Sequence, residues 1–244
     1  MKIKVTKHQI QHLEHAFKIY FNYVLESFGM QEDIENLAKV ADVYLFSGII
    51  RNFFTGNLYD ERDIDIVVDT KKLNSLYSIK SILSHYTSIR KNSYGGLKIF
   101  TKNNEQTNVL DLWPLSETKY IKDNKLSESV SSLLDSPFFN FSAIVYDYVR
   151  CKFIFSDKFL EFCNTNTMEV VNCVNSNPPL CIINTIYYSR KYGFKIGETL
   201  KDWILGHYCL LYNYEETQRK HFGQVLFDNR DIQRIIYKMK YTTL

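Results

Sequence analysis

The stretch of residues 44–69 constrains the fold more than any other part of the chain, and it reads YLFSGIIRNFFTGNLYDERDIDIVVD. Its pattern predicts a strand, a tight turn at Ser47-Gly48, a short helix, and a second strand that carries Asp63 and Asp65. Residues two apart on a strand point to the same face, so the two carboxylates project side by side. Like charges this close repel each other, and a divalent cation such as Mg²⁺ relieves the conflict because it takes carboxylate oxygens as ligands.

Two further features fit the same site. The turn before the predicted helix offers backbone N–H groups and a helix N-terminus, which together suit an anion such as a triphosphate. Downstream, the apolar run of residues 109–113, VLDLW, is interrupted by Asp111, an unusual residue to bury in a strand. If that strand lies beside the strand of Asp63 and Asp65, the three carboxylates form a site for two metal ions, which is the arrangement that clamps an in-line displacement.

These residues resemble a known pattern. Residues 47–52, SGIIRN, and 62–67, RDIDIV, are similar to the head-domain signature of the polymerase-β-like nucleotidyltransferases. The similarity is greatest to class II CCA-adding enzymes and bacterial poly(A) polymerases, whose pattern is Gly-Gly-x-Val-Arg-Asp followed by Asp-x-Asp. A weaker resemblance continues through residues 139–147, FNFSAIVYD, and 179–194, PLCIINTIYYSRKYGF. It covers roughly residues 42–200.

The resemblance implies a metal-dependent transfer of NMP from an NTP to an acceptor hydroxyl, with release of pyrophosphate. The implied cofactor is Mg²⁺ in a two-metal site, with Mn²⁺ as the alternative metal. The predicted catalytic and metal-binding residues are Asp63, Asp65 and Asp111. The predicted nucleotide-binding residues are Ser47, Gly48 and Arg51, with Arg51 acting as a charge-assisted clamp on the phosphates.

The sequence also departs from the family pattern. Ser47 stands where the family has its first glycine, and Asn52 stands where it has an acid. The family's Glu-Asp-x-x-Arg, which reads the incoming base in CCA-adding enzymes, would fall on Asn177, Pro178 and Cys181. Since none of these can supply that hydrogen-bonding edge, the resemblance predicts the catalytic half of the pattern without the half that selects C and A.

The acceptor has three candidate identities. An RNA 3′ end, of a tRNA-like molecule, is the first, because residues 189–244 contain 10 Lys/Arg and 6 Asp/Glu and this basic C-terminal stretch suits an RNA backbone. The second is a small molecule or a protein side chain, as in resistance-type and toxin-type members of the superfamily. The third is a catalytically silent module that only binds a nucleotide. The sequence leaves the choice of NTP and the oligomeric state open.

The element pattern predicts an α+β fold in two domains. Residues 1–135 would form a nucleotidyltransferase head, in which N-terminal helices pack on a small mixed β-sheet, and residues 136–244 a mostly helical neck or C-terminal domain. Apolar periodicity predicts one amphipathic helix over residues 6–28 and another over 70–84. With 45% hydrophobic and 23% charged residues, the chain can bury a sizeable core.

Compartment and membrane contact are predicted from cysteine usage and apolar runs. The five cysteines form no C-x-x-C pair and are odd in number, which indicates reduced thiols in a cytosolic protein. Residues 1–9 lack the apolar core of a secretory signal, and no run approaches the roughly 20 apolar residues of a membrane span. We therefore expect a cytoplasmic protein without a membrane partner.

Overall fold

The computed structural model of the chain describes residues 6–58, 63–69, 79, 81–83, 86, 88–92, 96–103, 106–174 and 176–241. Its packing divides the chain into two units. The first unit comprises Met1–Pro137 and Phe141–Asn164, and the second comprises Phe138–Asn140 and Thr165–Leu244. Within the described ranges, none of the helices has the length and apolar character that crossing a lipid bilayer requires.

The elements alternate between helix and strand at first and become mostly helical later. The strands are β1 (Asp42–Phe46), β2 (Asp63–Asp69), β3 (Ile89–Lys91), β4 (Leu97–Asn103), β5 (Gln106–Pro114), β6 (Ile144–Asp147), β7 (Lys152–Phe155), β8 (Thr167–Met168) and β9 (Lys195–Ile196). The helices are α1 (Lys7–His12), α2 (Glu14–Phe28), α3 (Gln31–Val40), α4 (Gly48–Thr55), α5 (Lys119–Asp123), α6 (Val130–Leu134), α7 (Asp157–Thr165), α8 (Pro178–Tyr192), α9 (Glu198–His207), α10 (Tyr214–Phe222) and α11 (Asn229–Tyr241). Short 3-10 turns span Leu115–Glu117 and Asn140–Ser142.

A mixed sheet forms the centre of the first unit. Its strand order is β3-β4-β5-β2-β1-β6-β7, and the pair β2–β5 is parallel while the other neighbouring pairs are antiparallel. This confirms the predicted α+β fold with a small mixed sheet packed with helices. On central strand β2, Ile64, Ile66 and Val68 lie on one face and are fully buried, and Val67 is buried on the other face, which also carries Asp63, Asp65 and Asp69.

The predicted helix over residues 6–28 is two helices in the structure. Thr6 caps α1 through a capping box with Gln9, and α1 ends at Leu13, whose backbone N–H bonds back to the carbonyls of Ile10 and Gln11. The break leaves Leu13 exposed while Phe17 at the next turn of α2 is fully buried. Of the helix predicted over residues 70–84, all but 79 and 81–83 lies outside the described residues.

The first unit extends beyond the predicted head boundary at residue 135. Strand β6 pairs antiparallel with β1, and β7 pairs with β6, so the hairpin that these two strands form joins the sheet. Buried Asp147 fixes the hairpin turn, accepting from the Arg150 backbone N–H at 2.8 Å and from its Nη1 at 2.6 Å. Residues 141–164 consequently belong to the first unit, because their strands complete its sheet.

A carboxylate supports the start of α9 in the second unit. Gly197 is the N-cap of α9 and supplies no side chain to bond the free N–H groups of the first turn. Glu169 takes over this role, since its Oε2 accepts from the Leu200 backbone N–H at 3.1 Å and from the Thr199 hydroxyl. The backbone of Glu169 is held in turn by Asn140, through Asn140 N to Glu169 O and Glu169 N to Asn140 Oδ1, both at 3.0 Å.

Replacing Gly197 with alanine should lower the free energy of unfolding by about 1–2 kcal/mol, the usual cost of losing an N-cap. A Cβ at this position would overlap the Glu169 carboxylate, which must then move away from the N–H of Leu200. Gly206→Ala is the matched control, because nothing lies within 4 Å of its Cβ position and alanine favours a helix. Denaturant unfolding measures both, and equal stability of the two variants would contradict the capping role of Glu169.

Candidate active site

Three carboxylates meet on one face of the sheet, where β2 and β5 run side by side. In the parallel pairing of these strands Asp65 stands directly opposite Asp111, and Asp63 lies two residues before Asp65 on the same face. Two residues further along each strand, Val67 and Trp113 point to this face and pack in an apolar cluster that includes Leu115. The structure therefore brings together the three acids that the sequence predicted to be neighbours.

Asp65 has the most perturbed environment of the three. Burial raises the pKa of the Asp65 carboxyl to about 8, with the Asp63 and Asp111 carboxylates adding to the rise. The positive charges of Arg51 and Lys98 lower this pKa in part. A carboxylate withdrawn from water between two others is costly to ionise without a cation, and this cost identifies the face as a place where positive charge is stabilising.

Lys98 supplies part of that positive charge. It lies opposite Asp111 in the antiparallel pairing of β4 with β5, and its Nζ is 3.1 Å from Asp111 Oδ2. Lys98 is absent from the predicted set of site residues. Its position between buried Leu97 and Ile99 on a strand was the available signal, because alternation places it on the face opposite those two side chains.

The three acids of the described strands do not form a complete set of metal ligands. Among the described residues, no three Asp, Glu, His or Cys side chains are grouped as ligands of one ion. The donor chemistry fits Mg²⁺, which prefers carboxylate oxygens, and the raised pKa of Asp65 reflects in part the repulsion that a cation would relieve. For Asp111 Oδ2 to bind a metal ion, its ion pair with Lys98 must first break.

The predicted phosphate turn lies between β1 and α4. Ser47 has φ 60° and ψ −114°, a conformation that glycine adopts readily and that strains other residues. The Arg51 N–H makes the first helical bond, to Ser47 O at 3.2 Å, so the N–H groups of the three preceding residues lie at the open N-terminus of the helix. The Ser47 side chain makes no capping hydrogen bond at this end, and these donors are therefore suited to an anion.

Arg51 and Gly48 shape the space beside the turn. A Cβ built on Gly48 would lie 3.6 Å from Arg51 Nη2, so the guanidinium borders the space in front of this glycine. Arg51 also lowers the pKa of Asp65 electrostatically. The guanidinium charge of Arg51 is therefore within range of both the turn and the carboxylates. Asn52, the departure from the family acid, is buried, and its Oδ1 accepts from Arg51 Nη2 at 3.4 Å.

The positions that correspond to the family's base-reading residues have structural roles in the second unit. Asn177 caps α8, with its Oδ1 accepting from the Leu180 N–H at 3.3 Å, and Pro178 is the first residue of that helix. Cys181 is buried on the same helix, and burial raises the pKa of its thiol to about 12. These three side chains do not supply the carboxylate and guanidinium with which the family reads a base.

The fold is similar to solved structures of CCA-adding and tRNA-processing enzymes. A CCA-adding enzyme with CTP matches with a TM-score of 0.59 at 14% identity, over 97% of this chain and 53% of that one. A Thermotoga maritima CCA-adding enzyme complexed with tRNA matches with a TM-score of 0.57 at 14% identity, over 97% and 52%. A tRNA-processing enzyme in an apo form matches with a TM-score of 0.57 at 16% identity, over 84% and 57%.

These similarities are structural. No protein-family model matches the sequence, and neither does any curated protein. The chain spans about half the length of the solved structures it matches. The resemblance expected from the sequence, to the CCA-adding enzymes of the polymerase-β-like superfamily, is therefore confirmed at the level of the fold.

Asp65→Asn should stabilise the protein in buffer without divalent cations. The folded-state pKa of about 8 lies above the ordinary value of 3.8, so the folded state holds this proton more tightly and wild-type stability falls as pH rises between these values. The asparagine variant has no such loss. We expect its free energy of unfolding to exceed that of the wild type by about 1–3 kcal/mol at pH 8, and the difference to vanish near pH 4. Urea unfolding across this pH range measures the difference, with the exposed Asp202→Asn as the control. A difference between Asp65→Asn and wild type that does not change with pH would contradict the raised pKa of Asp65.

Ser47→Gly should raise the free energy of unfolding by about 1 kcal/mol, because glycine relieves the strain of a positive φ at the cost of some backbone entropy. Ser47→Ala is the matched control, since it removes the same hydroxyl but keeps a Cβ at φ 60°. Thermal unfolding of the three proteins distinguishes the two effects. If the alanine variant gains as much stability as the glycine variant, the backbone of Ser47 is not strained.

Proposed function

We propose that the chain is a metal-dependent nucleotidyltransferase that moves NMP from an NTP to the 3′ hydroxyl of an RNA and releases pyrophosphate. The observation that carries the proposal is the alignment of Asp65 with Asp111 across β2 and β5, in the same unit as the N-terminus of α4, which the Ser47 side chain does not cap. The same fold occurs in solved structures of CCA-adding enzymes with CTP and with ATP, which supports this chemistry over others that use paired carboxylates.

The polyphosphate would bind at the turn. The free N–H groups at the start of α4, with the Ser47 hydroxyl, would hold the β- and γ-phosphates, and Arg51 would add a charge-assisted clamp. Gly48 leaves room for this contact because a side chain there would enter the space in front of Arg51. The α-phosphate would then lie toward Asp63 and Asp65, since Arg51 also acts on Asp65.

The residues that would hold Mg²⁺ are Asp63 and Asp65, with Asp111 joining them when Lys98 releases it. When bound, Mg²⁺ neutralises the triphosphate and lowers the pKa of the attacking hydroxyl. Lys98 would remain beside the site as a positive charge, able to pair with phosphate oxygens in place of Asp111. Mn²⁺ takes the same oxygen ligands and is the alternative metal.

An RNA acceptor is supported by two observations. One matched structure is a CCA-adding enzyme complexed with tRNA, and the last part of this chain carries more Lys and Arg than Asp and Glu. Selection of C and A by the family's residues is not part of the proposal, because Asn177, Pro178 and Cys181 serve the start and the buried face of α8 instead.

A nucleotide-binding module that transfers nothing is the second candidate. The ion pair between Lys98 and Asp111 favours it, because a lysine that holds the third carboxylate competes with a metal for the same oxygen. This module would still bind an NTP at the α4 turn. The variant Lys98→Ala distinguishes the two candidates, since it frees Asp111 without removing an acid.

The proposal predicts label transfer from α-³²P NTPs to RNA when the purified chain is incubated with Mg²⁺ and total RNA. Asp63→Ala or Asp65→Ala should lower the rate by about 10³-fold, because each removes several kcal/mol of transition-state stabilisation. Asp202→Ala, an exposed acid on α9, is the control and should keep full activity.

Other outcomes identify other functions. Label found on a small molecule or on a protein would identify that molecule as the acceptor in place of RNA. Absence of transfer by the wild type, with transfer by Lys98→Ala, would identify the ion pair as a block and favour the binding module. Full activity of either Asp63→Ala or Asp65→Ala would overturn the assigned site.

A further inference from the structure

A cavity of about 790 Å³ lies within the second unit, and no residue of the candidate active site lines it. It is lined by β8 and β9, by residues of α8 and α9, and by α11. Three lysines and four apolar side chains make up most of the lining: Lys195, Lys201, Lys238, Phe194, Ile196, Ile235 and Met239. This size is typical of a pocket for a small molecule.

The charge of the cavity has one sign. No acidic side chain is among the described residues that line it, so the three ammonium groups border a space with no carboxylate of its own. Lys195 and Lys238 are exposed at the border. An anion with more than one negative charge matches three bordering lysines better than a single carboxylate does, because its charges can be shared among them.

Lys201 is the most constrained of the three. Its side chain is only 14% exposed, and its ion pair with Glu198 is a 3.7 Å contact to a side chain that is itself 69% exposed. Such a contact with a solvated carboxylate gains little, so this ion pair leaves the ammonium group of Lys201 available to a stronger anionic partner. The fold therefore holds the Lys201 side chain in the wall of the cavity, with one weak ion pair to an exposed carboxylate.

The apolar part of the lining adds a second requirement. Phe194 is buried, and Ile235 and Met239 are partly buried one turn apart on α11. Hydroxyl groups of Thr167 and Ser189 supply a few neutral polar contacts among them. A ligand that fits both parts has a planar or apolar body joined to a group carrying several negative charges.

We propose that this cavity binds a nucleotide, with its phosphates on Lys195, Lys201 and Lys238 and its base against Phe194, Ile235 and Met239. A free nucleoside triphosphate and one nucleotide of a single-stranded RNA share this chemistry. The site is distinct from the candidate active site, whose phosphate turn and three acids all belong to the first unit. Because its positive charges come from lysines, binding here does not need a divalent cation.

Calorimetric titration of the full chain with ATP tests the proposal. In EDTA we expect one ATP per chain, bound by the cavity, and a second when Mg²⁺ allows binding at the candidate active site. Lys195→Ala and Lys238→Ala should each weaken the EDTA-resistant binding by about tenfold, the effect of losing one charge-assisted contact. Lys240→Ala is the matched control, because it removes the same charge from the same helix outside the cavity and should change the affinity less than about twofold.

Further ligands and one further variant define the outcome. Met239→Trp, which keeps all three lysines and fills the apolar part, should also abolish the binding. A tetraribonucleotide that binds in EDTA and competes with ATP would identify RNA as the source of the nucleotide. Inorganic triphosphate binding as tightly as ATP, or no binding in EDTA, would overturn the proposal. If one ATP binds in EDTA but no second ATP binds when Mg²⁺ is added, the result would count against the proposed transferase site and leave the nucleotide site in the cavity intact.

Discussion

The parallel pairing of β2 with β5 is the constraint on which the candidate active site depends. Leu110 and Leu112 are fully buried, and the pleat of the strand then turns Asp111 to the opposite face, beside Asp65. A shift of one residue in this register would bury the Asp111 carboxylate and expose both leucines. Each of these changes would destabilise the fold. The position of the third acid is therefore fixed by the hydrophobic pattern of its strand, and the chemistry of the site is a consequence of core packing.

Electrostatic strain is concentrated at the same point. Three carboxylates share this part of the sheet, and the two cations that act on Asp65 are Arg51 and Lys98, so these five groups together carry a net negative charge when all are ionised. Ser47 adds backbone strain at the turn before α4. Both features lower stability, and the surrounding strands supply the apolar burial that offsets them. Conflicts of this kind at one place in an otherwise consistent fold are expected at functional sites.

Local pattern predicted the parts of the structure that depend on neighbouring residues. The strand, turn, helix and strand of residues 44–69 were predictable because alternation, a glycine turn and the Asp-x-Asp spacing lie within one short stretch. The Lys98–Asp111 pair depends on a register between distant residues, which no local pattern encodes. Local pattern gives little sign of helix α10 for a different reason. Gln218 occupies its buried face and satisfies its amide with the backbone of Leu226 and Phe227, so the apolar periodicity is hidden.

The positions that depart from the family's base-reading residues lie in a different unit from the groups proposed to bind phosphate and metal. The groups proposed for phosphate and metal binding lie on a few strands of one sheet and the turn beside them, where register holds them in place regardless of the residues later in the chain. The positions that would select a base lie on α8, whose first turn needs a cap and whose inner face needs apolar volume; Asn177 and Cys181 meet those needs. Substitution at these positions of α8 leaves the register of β2, β4 and β5 unchanged, so the proposed phosphate and metal ligands keep their places. A nucleotide recognised elsewhere, in a cavity with its own lysines and apolar lining, is consistent with such a separation of roles.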